Sequence, residues 1–203
     1  MKHKLTILIL TIFIWTSCSQ GTQKTNEEVN NNIKVDSLNQ KTSYDTIFVD
    51  KTYVGMTLKK LKSIYKDLEF LEEPMFFYGV DSEKNGLLLK KNNAPFIFVW
   101  TQESCDTING ITILTDQITI DNNVHVGITI SDFFNKYKNA KLQIDQISNE
   151  TEFGFVMNNL NYRIEFITAD SNRVGEYDMM QAEPEFIKLK RPDAKVERIG
   201  VYK

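Results

Sequence analysis

The chain has 203 residues, of which 41% are hydrophobic and 11% aromatic, a composition that can support a hydrophobic core. Its 24 Lys and Arg residues are outnumbered by 27 Asp and Glu residues, so the net charge is −3 at pH 7 and no basic stripe runs along the sequence. Because nucleic-acid binding depends on basic side chains that neutralise phosphates, no nucleic-acid partner is expected.

The first residues have the organisation of an export signal. A short basic start is followed by the uncharged apolar residues 5–15 and then by small residues that precede Cys18. An apolar run of this length is typical of a signal-peptide core, since a membrane-spanning helix needs about 20 residues. The pattern resembles the lipobox of bacterial lipoproteins, which implies that residues 1–17 are a signal peptide and that Cys18 carries lipid. An ordinary cleaved signal peptide and an uncleaved anchor are the alternatives.

Residues 18–44 are rich in Asn, Gln, Thr, Ser and Lys, and their few apolar residues show no period. This composition predicts a flexible tether rather than a folded segment. The expected location is the bacterial cell envelope, where the lipid anchor holds the chain on the periplasmic face of the outer membrane. Cys105 is the other cysteine, so a lipidated Cys18 leaves no intramolecular disulfide.

The remaining sequence contains an internal repeat. Residues 54–66 read VGMTLKKLKSIYK and residues 126–138 read VGITISDFFNKYK, with Val, Gly, Thr, Tyr and Lys at matching positions. In each copy a threonine, Thr57 or Thr129, stands where a helix N-cap belongs. The apolar residues that follow recur at i, i+3 and i+7, which predicts one buried face of a short helix in each copy.

Runs of β-like alternation surround each predicted helix. We therefore predict an α+β fold of two tandem units, residues 45–116 and 117–203, each a short helix packed on a mostly antiparallel β-sheet. A single sheet shared by both copies is the alternative to two separate domains. Residues 75–80 and 87–91 are predicted to be strands joined by a hairpin turn, residues 169–193 to be irregular, and residues 195–202 to form a closing strand.

The repeated pattern of strand, Val-Gly, threonine, short helix and β-meander resembles the repeat of SmpA-type outer-membrane assembly lipoproteins. In tandem it also resembles the units of β-lactamase inhibitory protein and a broad set of uncharacterised bacterial lipoproteins. This resemblance implies a protein-binding or scaffold role on a membrane rather than catalysis. It transfers no individual functional residue, because those families bind through surfaces that differ between members.

The sequence offers little catalytic equipment. Once the signal is removed, His125 is the one histidine, which excludes a zinc site with several histidine ligands in a single chain. No G-x-S-x-G nucleophile motif and no glycine-rich phosphate loop is present. No metal and no cofactor is therefore expected, and we predict that the protein is not an enzyme. A hydrolase that uses His125, paired with Cys105 or acting alone, or that uses an acidic pair instead, is kept as an alternative.

Adjacent aromatic residues are the candidate interaction patch: Phe76, Phe77, Tyr78 and Phe134. Alternation along a strand or helix hides only one of two neighbours, so some of these rings are expected at the surface, although core packing is the other possible use. The predicted function is a lipid-anchored, non-catalytic binding or scaffold protein that contacts a protein partner in the cell envelope. Binding of a small ligand, such as a lipid or a peptide, is the alternative.

Overall fold

The computed structural model describes residues 47–202 apart from residues 103, 122, 147–149, 158 and 181. The predicted signal peptide, the lipidation site Cys18 and the predicted tether lie outside the described residues. All described residues belong to one unit of the fold, Thr42–Lys203. Within them, no helix is long and apolar enough to cross a membrane.

The described chain is built mainly of β-strands with two short α-helices. The helices are α1 (Leu58–Ile64) and α2 (Ile130–Lys136), and single 3-10 turns lie at Met75–Tyr78 and Asp170–Asn172. The strands are β1 (Phe48–Val49), β2 (Thr52–Tyr53), β3 (Glu69–Pro74), β4 (Asn85–Lys91), β5 (Ala94–Thr101), β6 (Ile108–Ile113), β7 (Thr119–Ile120), β8 (Val124–His125), β9 (Ala140–Ile144), β10 (Thr151–Val156), β11 (Asn159–Ile167), β12 (Gly175–Asp178), β13 (Glu185–Leu189) and β14 (Arg198–Tyr202).

Eight strands form one antiparallel sheet in the order β3-β4-β5-β6-β14-β11-β10-β9. Strands β1 to β6 make up the first half of the fold, and strands β7 to β14 make up the second half. The halves meet where β6 pairs with β14, with Ile111 opposite Val201 and Ile113 opposite Ile199.

The predicted α+β fold of two units, each with a helix on its own sheet, is wrong, and the alternative of one sheet shared by both copies is the arrangement observed. The strands run through one continuous sheet, and β-structure far outweighs the two helices. The physical reason is that pairing β6 with β14 satisfies the backbone N–H and C=O groups of two strands that separate sheets would leave as open edges. The closing strand at the end of the chain is confirmed, since β14 occupies the centre of the sheet.

The repeated helix starts are confirmed in the structure. The Thr57 hydroxyl accepts a hydrogen bond from the Lys60 N–H (3.2 Å), and the Thr129 hydroxyl accepts one from the Asp132 N–H (3.1 Å). Each helix contributes buried side chains to the main core: Leu61 from α1, and Ile130 and Phe133 from α2. Helices of seven residues are too short to be stable alone, so their packing on the sheet maintains them.

Three segments differ from the predicted pattern. Residues 75–80, predicted as a strand, form the 3-10 turn and the residues after it, and the strand before them is β3. Asn85 and Gly86, predicted in a hairpin turn, begin β4 and pair with Pro74 and Glu73. Residues 169–193, predicted as irregular, contain the β12–β13 hairpin. Residues 75–80 are apolar because they pack against the sheet, and this apolar run looks like a strand in the sequence.

Replacing Thr57 or Thr129 with alanine removes the oxygen that accepts from the first helical turn. We expect each substitution to lower the free energy of unfolding by about 1 kcal/mol, because one backbone N–H loses its partner. Urea unfolding followed by circular dichroism measures the effect. Serine at the same position keeps the hydroxyl and is the matched control. Alanine variants as stable as the serine variants would show that the caps contribute nothing.

Candidate functional site

The sheet has two faces that are covered differently. Both helices pack on one face, and we call the opposite one the outer face. In the first half, the outer face is covered by residues 75–80, which we call the covering segment. Met75 is buried there, and the Tyr78 ring stacks on Phe98 with ring centroids 3.8 Å apart. This contact forms a second, smaller hydrophobic cluster that includes Leu88 and Trp100.

In the second half, the outer face carries an open groove of about 370 Å³. This volume lies within the range of about 300–1,000 Å³ that is common for ligand pockets. We call it the outer-face groove, and its lining residues are Gln143, Phe153, Phe155, Tyr162, Arg163 and Tyr202.

A row of rings connects the covered half to the open half. The centroids of Phe98 and Trp100 are 6.2 Å apart, and those of Trp100 and Tyr202 are 5.6 Å apart. The Arg163 guanidinium then lies 4.9 Å from the Tyr202 centroid and 5.0 Å from the Phe153 centroid. These are cation–π distances, so Arg163 is held between two aromatic walls of the groove.

Two glycines allow the rings in this row to lie flat on the sheet. A Cβ atom at Gly110 would collide with the Trp100 ring, and one at Gly200 would collide with the Tyr202 ring. Gly110 and Tyr202 are opposite each other in the β6–β14 pair. The absence of side chains at the centre of the sheet therefore makes room for the aromatic row.

A buried carboxylate lies beside the groove. Glu165 has no solvent exposure, and its Oε1 accepts hydrogen bonds from Arg163 Nε (2.6 Å) and from the Tyr202 hydroxyl (3.1 Å). Its Oε2 accepts from Arg198 Nε. We call these four residues the Glu165 network. Charged hydrogen bonds from two arginines are what make the burial of this carboxylate tolerable.

The Glu165 network also binds the covering segment. Arg198 Nη1 donates to the Phe77 carbonyl at 2.9 Å, and Arg163 Nη2 lies 3.5 Å from the Gly79 carbonyl. The covering segment is therefore attached to strands of the second half. It presents Phe76 and Phe77 outward, with 56% and 60% of their surfaces exposed and ring centroids 4.5 Å apart.

The charge states of the groove follow from this arrangement. Burial is the largest influence on the pKa of Arg163 and lowers it, but Glu165, Tyr202 and Asp145 together raise it more, so this pKa lies above its usual value. Burial and the Glu165 carboxylate raise the pKa of Tyr202. Arg163 is consequently charged and Tyr202 is a neutral hydrogen-bond donor at neutral pH.

The structure brings together only part of the predicted interaction patch. Phe76 and Phe77 are exposed in the covering segment, and Tyr78 is half-buried against Phe98. Phe134 lies on α2 at the other face of the sheet, where its ring packs against Phe186 at 5.7 Å between centroids. Phe134 therefore belongs to the packing around the main core, and the exposed rings are those of Phe76 and Phe77.

The residues considered for catalysis do not form a site in the part of the chain that the structure describes. His125 Nδ1 lies 2.8 Å from the Val126 carbonyl, a backbone contact. Cys105 is an exposed free thiol in a loop. No group of three or more His, Cys, Asp or Glu residues that could hold a metal ion occurs among the described residues.

The prediction from sequence missed the Glu165 network. Alternation along β11 carries a signal, since Arg163 and Glu165 are two residues apart and so lie on the same face of a strand. The sequence gives no comparable signal for Arg198, which is 33 residues further along the chain.

No protein-family model matches this chain, and no curated protein matches it, so no catalytic relative is found. Among solved structures, the chain is similar to the uncharacterized protein yfeY from Escherichia coli, with a TM-score of 0.47 and 14% sequence identity. That similarity covers 76% of this chain and 95% of the other.

We expect the free energy of unfolding to fall as the pH rises above about 10. The pKa values of Tyr177 and Tyr202 are raised in the folded protein, first by burial and then by the carboxylates of Glu152 and Glu165. The folded chain therefore keeps these protons after the unfolded chain has lost them. The stability they contribute is fully present below pH ~10 and is lost as the pH rises further.

Urea unfolding between about pH 9 and about pH 11 measures this dependence. Tyr177→Phe and Tyr202→Phe should each flatten the decline of stability with pH, because phenylalanine has no proton to lose. The matched control is Phe48→Leu on β1, which removes an exposed aromatic ring but no ionisable group and should leave the decline unchanged. A double Tyr177→Phe/Tyr202→Phe variant with the decline of the unaltered protein would contradict the assignment.

Proposed function

We propose that the protein is a lipid-anchored, non-catalytic binding protein of the bacterial cell envelope, and that it contacts a protein partner through the outer face of its sheet. The observation that carries this proposal is the outer-face groove beside the exposed Phe76 and Phe77. Together they make one side of the sheet a surface of aromatic rings with an arginine between them.

This composition is the one that protein interfaces use. Aromatic residues and arginine are enriched at the centres of interfaces, where they contribute most of the binding energy. The exposed Phe77 is also attached to the fold through its backbone, because Arg198 donates to its carbonyl. A surface held in place before binding loses less conformational entropy when the partner arrives.

The membrane anchor is the second part of the proposal. It rests on the N-terminal pattern that resembles a lipobox, in which Cys18 receives the lipid. Acyl chains contribute about 0.8 kcal/mol for each buried methylene, so two or more chains hold a protein stably on a bilayer. The residues between Cys18 and the described fold would let the outer face reach a partner near the membrane.

A small apolar ligand, such as a lipid, is the second candidate for the groove. The volume of the groove, about 370 Å³, and its aromatic walls are the observations that favour a small ligand. The exposed Phe76 and Phe77 lie in the covering segment and do not line the groove. A protein partner accounts for both features, which is why we prefer it.

Site-specific photo-crosslinking in the native envelope tests the proposed function. A photoreactive phenylalanine analogue at Phe77 should give a small set of adducts, because this ring projects from the proposed contact surface. The matched control is the same analogue at Phe48, which is similarly exposed at 61% but lies on the β1–β2 hairpin. The Phe77 adducts should also decrease in a Cys18→Ala chain. Identical adducts from both positions would contradict the proposal.

A further inference from the structure

The two halves of the sheet can be compared position by position. Thr112 and Gly200 are opposite each other at the centre of the β6–β14 pair. The Gly55 N–H donates to the Ile108 carbonyl, four residues before Thr112. The Gly127 N–H donates to the carbonyl of Val196, four residues before Gly200. The halves are therefore related by an approximate twofold axis through the central strand pair.

This relation shows what the groove corresponds to in the first half. Following the strand register outward, Arg163 takes the place of Phe98. The next strand, β10, takes the place of β4, so Phe155 on β10 is the counterpart of Leu88 on β4, although the β10–β11 register shifts between Gly154 and Val156. Phe98 and Leu88 are the residues on which the covering segment packs. The outer-face groove thus lies at the position that the covering segment occupies in the first half.

The covering segment is a template for an occupant of that position. It places Met75 and Tyr78 against the sheet, and the carboxylate of Glu73, just before it, accepts from the Tyr78 hydroxyl at 2.5 Å. A short peptide with apolar and aromatic side chains is therefore the kind of ligand that this sheet already binds within its own chain, and an acidic side chain lies beside the aromatic ring of this segment.

The Arg163 guanidinium favours an acidic occupant. The carboxylates of Glu165 and Asp145 both act on Arg163, so it is the weakly used Nη2 donor of Arg163, not a net positive charge, that favours a further carboxylate. Arg163 uses its Nε for Glu165, whereas its Nη2 lies at a long 3.5 Å from the Gly79 carbonyl. A carboxylate from a ligand would be a stronger acceptor for these donors, because both groups carry full charge.

We propose that the outer-face groove binds a peptide segment of the partner protein that carries an acidic side chain close to an aromatic or methionine side chain. The carboxylate pairs with Arg163, and the apolar side chain packs between Phe155 and Tyr202. This inference rests on the proposed function and adds to it the chemical class of the partner's segment.

A peptide of this chain's own residues 69–80, EFLEEPMFFYGV, is the probe for the test. It carries a fluorescent label and is titrated with the full chain in lipid nanodiscs, beside protein-free nanodiscs, while fluorescence anisotropy is recorded. We expect saturable binding that Phe155→Ser weakens by about tenfold or more, since a central aromatic contact is lost. The matched control is Phe48→Ser, which should bind like the unaltered chain.

A second arm changes the peptide and leaves the protein intact. Replacing its three glutamates with glutamine should weaken binding by about tenfold, because Arg163 loses a charged acceptor. The proposal is overturned if the peptide does not bind, if Phe155→Ser binds it equally well, or if the glutamine peptide binds as tightly as the acidic one. Palmitate that binds where the peptide does not would show that the groove takes lipid.

The two proposals can fail separately. A chain that crosslinks to a partner through Phe77 but does not bind the acidic peptide keeps the proposed function and loses this inference. A chain without specific Phe77 adducts loses the proposed function, whatever the peptide does.

Discussion

The burial of the Glu165 carboxylate is the constraint on which the outer face depends. A charge without solvent exposure is tolerated only when hydrogen bonds and opposite charge replace water, and here Arg163, Arg198 and Tyr202 supply them. All four residues come from two neighbouring strands, β11 and β14, so the pairing of these strands brings the network together. Removing one partner from such a group costs about 3–5 kcal/mol, because a buried charge is left uncompensated.

The same arginines determine how the two halves of the outer face differ. Arg198 extends beyond Glu165 to the Phe77 carbonyl, which attaches the covering segment to the second half. In the first half the face is closed by Met75 and Tyr78 on Phe98. In the second half Arg163 stands where the first half has Phe98, so an apolar cover from the same chain would leave Arg163 Nη2 without a strong acceptor. This charge favours an open groove over an apolar cover.

The features that could be predicted from sequence are those that local residues determine. The caps at Thr57 and Thr129 need only the next turn of the helix, and both are present. The sequence left one shared sheet and two separate domains as alternatives, because the β6–β14 pairing that decides between them joins strands that lie far apart in sequence. Residues 75–80 have the apolar character of a strand but cover the sheet. The candidate site divides in the same way. Adjacent aromatic residues in the sequence indicated the exposed Phe76 and Phe77. The hydrogen bond between Glu165 and Arg198 joins residues 33 positions apart, so only the folded chain reveals it.

Hydrogen exchange of the covering segment tests most directly whether the buried Glu165 carboxylate, through its two arginines, holds this segment on the sheet. Mass spectrometry compares the amides of residues 75–80 in the unaltered chain, in Glu165→Gln, and in Glu183→Gln, whose side chain is exposed on the β12–β13 hairpin. The account predicts that Glu165→Gln speeds exchange in residues 75–80 more than in β5, because the two arginines lose their counter-charge and release the Phe77 and Gly79 carbonyls. Exchange that is unchanged in residues 75–80, or that rises equally in β5, would show that Glu165 does not hold the covering segment.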